Sequence, residues 1–154
     1  MSDPEILFGI YCPPHPQPLL TPEANEGYGR LRDAFETCRK RIEESEADLI
    51  LVYSTTWPSI IGHQIQGHPE PEWVHVDDDF HYLGSMPYKF KMDTEFAEKF
   101  RECAESRGLQ SRTVAYDGFP IDTGSIVALK LLNPDNKIPA CICLLYTSPS
   151  PRDQ

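Results

Sequence analysis

No run of about 18 apolar residues occurs in the 154-residue sequence, so it offers no membrane-spanning helix. Basic residues are scarce. Fourteen Lys and Arg stand against 24 Asp and Glu, giving a net charge of -10 and a pI near 4.8. Such a surface repels phosphate backbones and anionic headgroups, so nucleic acid and membrane are not expected partners. CxxC pairs are absent. The five cysteines, at 12, 38, 103, 141 and 143, are odd in number and scattered. They argue for reduced thiols in a cytoplasmic protein rather than a disulfide framework. The acidic opening Met1-Ser2-Asp3-Pro4-Glu5 and the short apolar run after it argue against a secretory signal. HExxH, P-loop, Rossmann glycine and nucleophile-elbow patterns are all missing, which removes the commonest one-motif assignments.

What is present suits a soluble globular chain, one domain or part of a larger one, with 40% hydrophobic and 25% charged residues. Residues 6–11 are an apolar run ended by Cys12-Pro13-Pro14 and predict a buried first strand. Thr21-Pro22-Glu23 predicts a helix start, and Tyr28, Leu31, Phe35, Cys38 and Ile42 continue at helical spacing to about residue 46. Residues 48–53 predict a second buried strand. Strand, helix, strand implies a right-handed βαβ unit in a mainly parallel α/β sheet flanked by helices. Residues 58–80 read as a long His-rich connection with a short strand at 73–76, and residues 88–92 as an edge strand. Asp93 or Thr94 predicts the cap of a helix with Phe96, Ala97, Phe100, Cys103 and Ala104 inside, closed by Gly108. Residues 111–115, 125–132 and 139–144 predict strand, helix and strand.

Histidine is the usual metal ligand and acid/base near neutral pH. The five stand at 15, 63, 68, 75 and 81, and none has metal-signature spacing. His15 and His63 are the best placed, each following a predicted parallel strand, where α/β sheets bind ligands. His75 reads as a strand residue facing solvent or a neighbouring loop. Asp77-Asp78-Asp79 offers oxygen ligands for a hard cation, but a solvated acidic loop is the simpler reading.

Three stretches resemble one family. They are Phe8-Gly-Ile-Tyr-Cys-Pro-Pro-His-Pro16, Asp48-Leu-Ile-Leu-Val-Tyr-Ser-Thr-Thr-Trp57 and Gly118-Phe-Pro-Ile-Asp-Thr-Gly-Ser-Ile-Val-Ala-Leu129. In this order they are similar to the LigB-type, or class III, extradiol ring-cleavage dioxygenases. With His75-Val76-Asp77 they look like the α-type subunits of the 2-aminophenol 1,6-dioxygenases. The resemblance covers residues 5–142, about the N-terminal half of a family member.

The resemblance implies Fe(II) held by two histidines and a glutamate, with positions left open for the aromatic ring and O2. It implies a further histidine as acid/base. The first iron histidine falls on His15. The second falls on Thr56, in Ser54-Thr55-Thr56-Trp57. The acid/base histidine falls on Thr123, in Asp122-Thr123-Gly124. The glutamate belongs to the half that this chain lacks. Threonine hydroxyls are poor Fe(II) ligands and do not shuttle protons near neutral pH. The expectation is therefore a metal-free α-type subunit that partners a catalytic β-type subunit. Trp57, Phe119 and Asp122 would then line a vestigial pocket or an interface, unless the aromatic rings are simply core. One alternative is a self-sufficient Fe(II) enzyme using His15 and His63. Another is a non-enzymatic soluble α/β protein. Residues 143–154, Cys-Leu-Leu-Tyr-Thr-Ser-Pro-Ser-Pro-Arg-Asp-Gln, resemble a translated sequencing adaptor. They are expected to be non-native, the alternative being a natural disordered tail.

Overall fold

The computed structural model describes residues 5–59 and 62–144. The elements in order are α1 (Gln17–Leu20, one turn), a 3-10 turn (Pro22–Ala24), α2 (Glu26–Glu44), β1 (Ile50–Ser54), β2 (His63–Gln66) and β3 (Glu72–His75). A second 3-10 turn (His81–Leu83) leads to β4 (Met86–Lys89), α3 (Thr94–Ser106), β5 (Ser111–Val114), α4 (Thr123–Leu132) and β6 (Ala140–Leu144). The main sheet has the order β1-β6-β2-β5. β1 runs parallel to β6 and β2 parallel to β5, whereas β2 meets β6 antiparallel. The expected α/β class, a mainly parallel sheet between helices, is present.

β6 explains the layering. Its five residues are all buried, as a strand covered on both faces requires. Side chains alternate across a strand. Ala140, Ile142 and Leu144 enter the larger core with Phe35 and Ile42 of α2 and Ile126 and Leu129 of α4. Cys141 and Cys143 enter the smaller core with Ile65 and Ala97. Desolvation pushes the Cys141 thiol up to about 12 and the Cys143 thiol up to about 11, so both stay protonated and unreactive. None of the five cysteines is paired.

Three expectations fail for identifiable reasons. Residues 6–11 form no strand. Phe8, Ile10 and Cys12 do pack on the larger core, while Ile6 and Tyr11 are 91% and 95% exposed. The alternation serves a helix instead: the Arg41 guanidinium of α2 lies 4.8 Å above the Phe8 ring. The opening βαβ unit is therefore absent from the described residues, and the parallel neighbour of β1 is β6. Second, α2 starts at Asn25 rather than Thr21. Asn25 accepts the Tyr28 N–H at 3.0 Å and is the stronger cap, while residues 22–24 form the 3-10 turn. Third, the His-rich connection contains β2, whose Gln64 and Gln66 are 0% and 1% exposed. Their amides are satisfied: Gln64 donates to the Pro58 carbonyl and accepts from Arg112, and Gln66 accepts the His68 N–H.

The remaining elements follow the sequence closely. β3 and β4 pair antiparallel in a separate two-stranded sheet. Asp93 caps α3, accepting the Phe96 N–H at 2.8 Å, and Gly108 closes it at φ +82. Cys103 lies on the exposed side of α3 rather than inside. Cys143 and Leu144, the first residues of the segment expected to be non-native, complete β6. Residues 145–154 lie outside the described residues.

Gly62 leads into β2 at φ +67, and a Cβ there would stand 2.3 Å from the Gln110 carbonyl oxygen. That carbonyl accepts the His63 N–H and opens the β2–β5 ladder. Gly62→Ala should therefore cost roughly 1–3 kcal/mol from backbone strain alone. Urea unfolding measures it; an unchanged midpoint would refute this account of the junction.

Candidate functional site at the N-terminus of α4

The site begins where β1 ends. The buried Ser54 hydroxyl accepts the backbone N–H groups of Thr56 at 3.2 Å and Trp57 at 3.0 Å. This local turn sends Trp57 inward and leaves Thr56 at the surface. Trp57 is 2% exposed and belongs to the larger core. Its indole N–H donates to the Pro120 carbonyl at 2.6 Å, and its ring meets Phe119 edge-on at 5.8 Å. These contacts draw the loop after β5 to the end of β1.

That loop feeds α4 through Asp122. One carboxylate oxygen accepts the Ser125 N–H at 3.1 Å and the Thr56 hydroxyl at 3.0 Å. The other accepts the Ser125 hydroxyl at 2.7 Å. An aspartate in this position satisfies orphan N–H groups and suits the positive end of the helix dipole. Gly124 follows in the first turn. A Cβ there would sit 3.0 Å from the Pro14 side chain, so the Pro13-Pro14-His15 loop rests directly on the start of α4.

Thr123 is buried and central. Its hydroxyl donates to the Asp77 carboxylate and lies 2.9 Å from His75 Nε2. A hydroxyl has one proton to give, so the His75 contact requires an Nε2–H donor. Asp77 also accepts the N–H groups of Asp79 and Phe80, each at 3.0 Å. Desolvation raises the Asp77 carboxyl. The Thr123 hydroxyl, the two backbone N–H groups and nearby His75 outweigh it and hold the group below the usual carboxylate range. Phe80 extends the cluster, meeting His15 edge-on at 6.0 Å.

The structure thus gathers Thr56, Trp57, Phe119, Asp122 and Thr123, with the His15 loop against them. His63 opens β2, its Nδ1 3.4 Å from the Leu144 carbonyl. His68 pairs with Asp117, and His81 Nδ1 lies 3.3 Å from the Asp78 carbonyl. The sequence makes His75 a strand residue facing solvent or a neighbouring loop and places Asp77 in an acidic loop, without joining either to Thr123. Their shared string with Asp122-Thr123-Gly124 was the available signal, but nothing local shows that residues 46 and 48 positions away meet one hydroxyl.

A family model for the catalytic LigB subunit of aromatic ring-opening dioxygenases matches residues 9–154. The chain belongs to the LigB family. It is 29% identical over 127 residues to a 2-aminophenol 1,6-dioxygenase alpha subunit from Pseudomonas sp, covering 82% of this chain and 46% of that protein. It is 31% identical over 147 residues to a beta subunit of the same name and source, covering 90% and 48%. Among solved structures, an uncharacterized Escherichia coli K12 protein aligns with a TM-score of 0.46 at 17% identity, over 71% of this chain and 38% of that one. The chain spans about half the length of the curated relatives it matches.

The LigB dioxygenases generally use Fe(II), and the donor set here does not fit it. Where the family resemblance expects imidazoles the chain has the neutral hydroxyls of Thr56 and Thr123, poor Fe(II) ligands, which donate to Asp122 and Asp77. Among the described residues, no three His, Cys, Asp or Glu side chains gather in a way that could hold a metal ion. No described helix is long and apolar enough to cross a membrane.

Two substitutions test the geometry. Asp122→Ala removes a helix cap and strands two hydroxyls, and should cost about 2–3 kcal/mol, with Asp122→Asn recovering much of it. Equal losses in both variants would argue against capping. Thr123→Val should cost roughly 1–3 kcal/mol by leaving His75 and Asp77 without their common partner. Because the folded Asp77 carboxyl is lowered, its contribution is present above the ordinary carboxylate range and lost as pH falls through its lowered value. In Thr123→Val that acid-side loss should shrink, as measured by urea midpoints across pH.

Proposed function

We propose that this chain is the α-type, metal-free member of a two-subunit class III extradiol dioxygenase. Its partner would be a β-type subunit that holds Fe(II) and cleaves a 2-aminophenol-like or catechol-like ring with O2. The observation that carries this reading is the pair of hydroxyls at Thr56 and Thr123. Both occupy positions where the family resemblance expects imidazoles, and each donates its proton to a neighbouring carboxylate. Similarity to an alpha and a beta subunit of one enzyme supports membership of such an assembly. Residues 1–142 then form the N-terminal part of a LigB-like domain, residues 143–154 a non-native tail, and the complex works in the cytoplasm.

In this role the chain's own residues act as scaffold. Asp122 and Ser54 fix the turn after β1, while His75, Thr123 and Asp77 tie the β3 end to α4. Trp57 and Phe119 supply rigid packing behind that surface.

The test is to produce the natural gene product with and without the neighbouring LigB-type subunit. Iron content and oxygen uptake with 2-aminophenol and catechol are then measured. Iron should follow the partner, and uptake should require it. Iron and turnover in this chain alone would overturn the proposal and favour the self-sufficient reading through His15 and His63.

A further inference from the structure

A separate cleft of about 260 Å³ lies between the β3–β4 sheet and the loop after β5. Its walls are aromatic. Trp73 and Tyr88 face each other in the β3–β4 register and therefore share one face of that sheet. Tyr116 and Phe119, from the loop after β5, pack edge-on at 5.1 Å. Gly118, at φ +76, lets that loop turn close to the indole; a Cβ there would be 4.0 Å from the Trp73 ring.

The rim is acidic. Glu70, Glu72 and Asp117 border the cleft. Lys89 pairs with Glu72 at 3.0 Å and is the only ammonium that the ion pairs bring to it among the described residues. His68 pairs with Asp117 at 2.8 Å without requiring a positive charge. Its Nδ1 accepts the Glu70 N–H at 3.1 Å, so a neutral ring still has an Nε2–H to give to Asp117. Three carboxylates thus stand against one ammonium and one imidazole. The excess is negative and stands beside exposed π faces, Trp73 being 57% exposed.

We propose that this cleft binds a small organic cation, an alkylammonium or guanidinium head. Aromatic faces attract such a head through their quadrupoles, and the uncompensated carboxylates add direct charge. An anionic ligand would meet repulsion, and a neutral apolar one would leave the charged rim unused. The volume suits a head group with a short stem, below the usual range for drug-sized ligands. The cleft shares Phe119 with the site at the α4 N-terminus, through the Trp57 ring contact, but the proposal does not rest on the subunit assignment.

The probe is N-ethylguanidinium, with N-ethylurea as its neutral isostere, titrated into the 154-residue chain. The Trp73 indole and Gly118 amide NMR shifts report on binding. Saturable shifts with the cation alone are expected. Trp73→Ala and Asp117→Asn should each weaken binding by about tenfold, with far-UV circular dichroism unchanged because both side chains are exposed. Tighter binding of a blocked arginine amide than of N-ethylguanidinium would assign the cation to a protein side chain; equal or weaker binding would assign it to a free small molecule. Absence of saturable shifts, or equal shifts with N-ethylurea, overturns the proposal.

Discussion

The Asp122 carboxylate is the constraint on which the molecule turns. α4 is buried nearly all round, so the N–H groups of its first turn cannot rely on water. Asp122 satisfies one of them and at the same time receives the Thr56 hydroxyl from the far end of β1. One side chain therefore joins the most buried helix to the main sheet. The positions of Thr56, Thr123 and the Pro14 loop all follow from where that cap must sit. Moving the cap would disturb core and site together.

The hydroxyls at 56 and 123 each hold a defined place in a hydrogen-bond network. Thr123 gives its proton to Asp77 and receives one from His75, while Thr56 gives its proton to Asp122. Both carboxylates are already anchored by backbone or side-chain donors. A threonine in either place is thus a structural link, and its hydrogen bonds join β1 and β3 to one helix end.

What could be read from the sequence was whatever is local. The cap at Asp93, the helical spacing through Phe35 and Ile42, and the apolar runs of β1 and β6 each carry their signal within a few residues. Two features escaped because their causes are distant. The apolar alternation of residues 6–11 looks the same whether its partner is a strand or the flank of α2. β2 is polar by composition and buried only because Pro58, Arg112 and His68 satisfy its glutamines. The site shows the same division. The family strings named Thr56, Asp122 and Thr123, but the meeting of His75, Asp77 and Thr123 depends on how β3 docks against α4.

This separation explains how one scaffold can serve two kinds of subunit. The chain is about equally similar to an alpha and a beta subunit, so overall identity does not distinguish the roles. Here the contacts that hold the strand ends are carboxylate caps, the Ser54 turn and the Trp57 indole, none of which is a metal-ligand position in the family resemblance. The side chains at 56 and 123 are thus distinct from the forces that fold the strand ends, and fold alone does not fix what the site does.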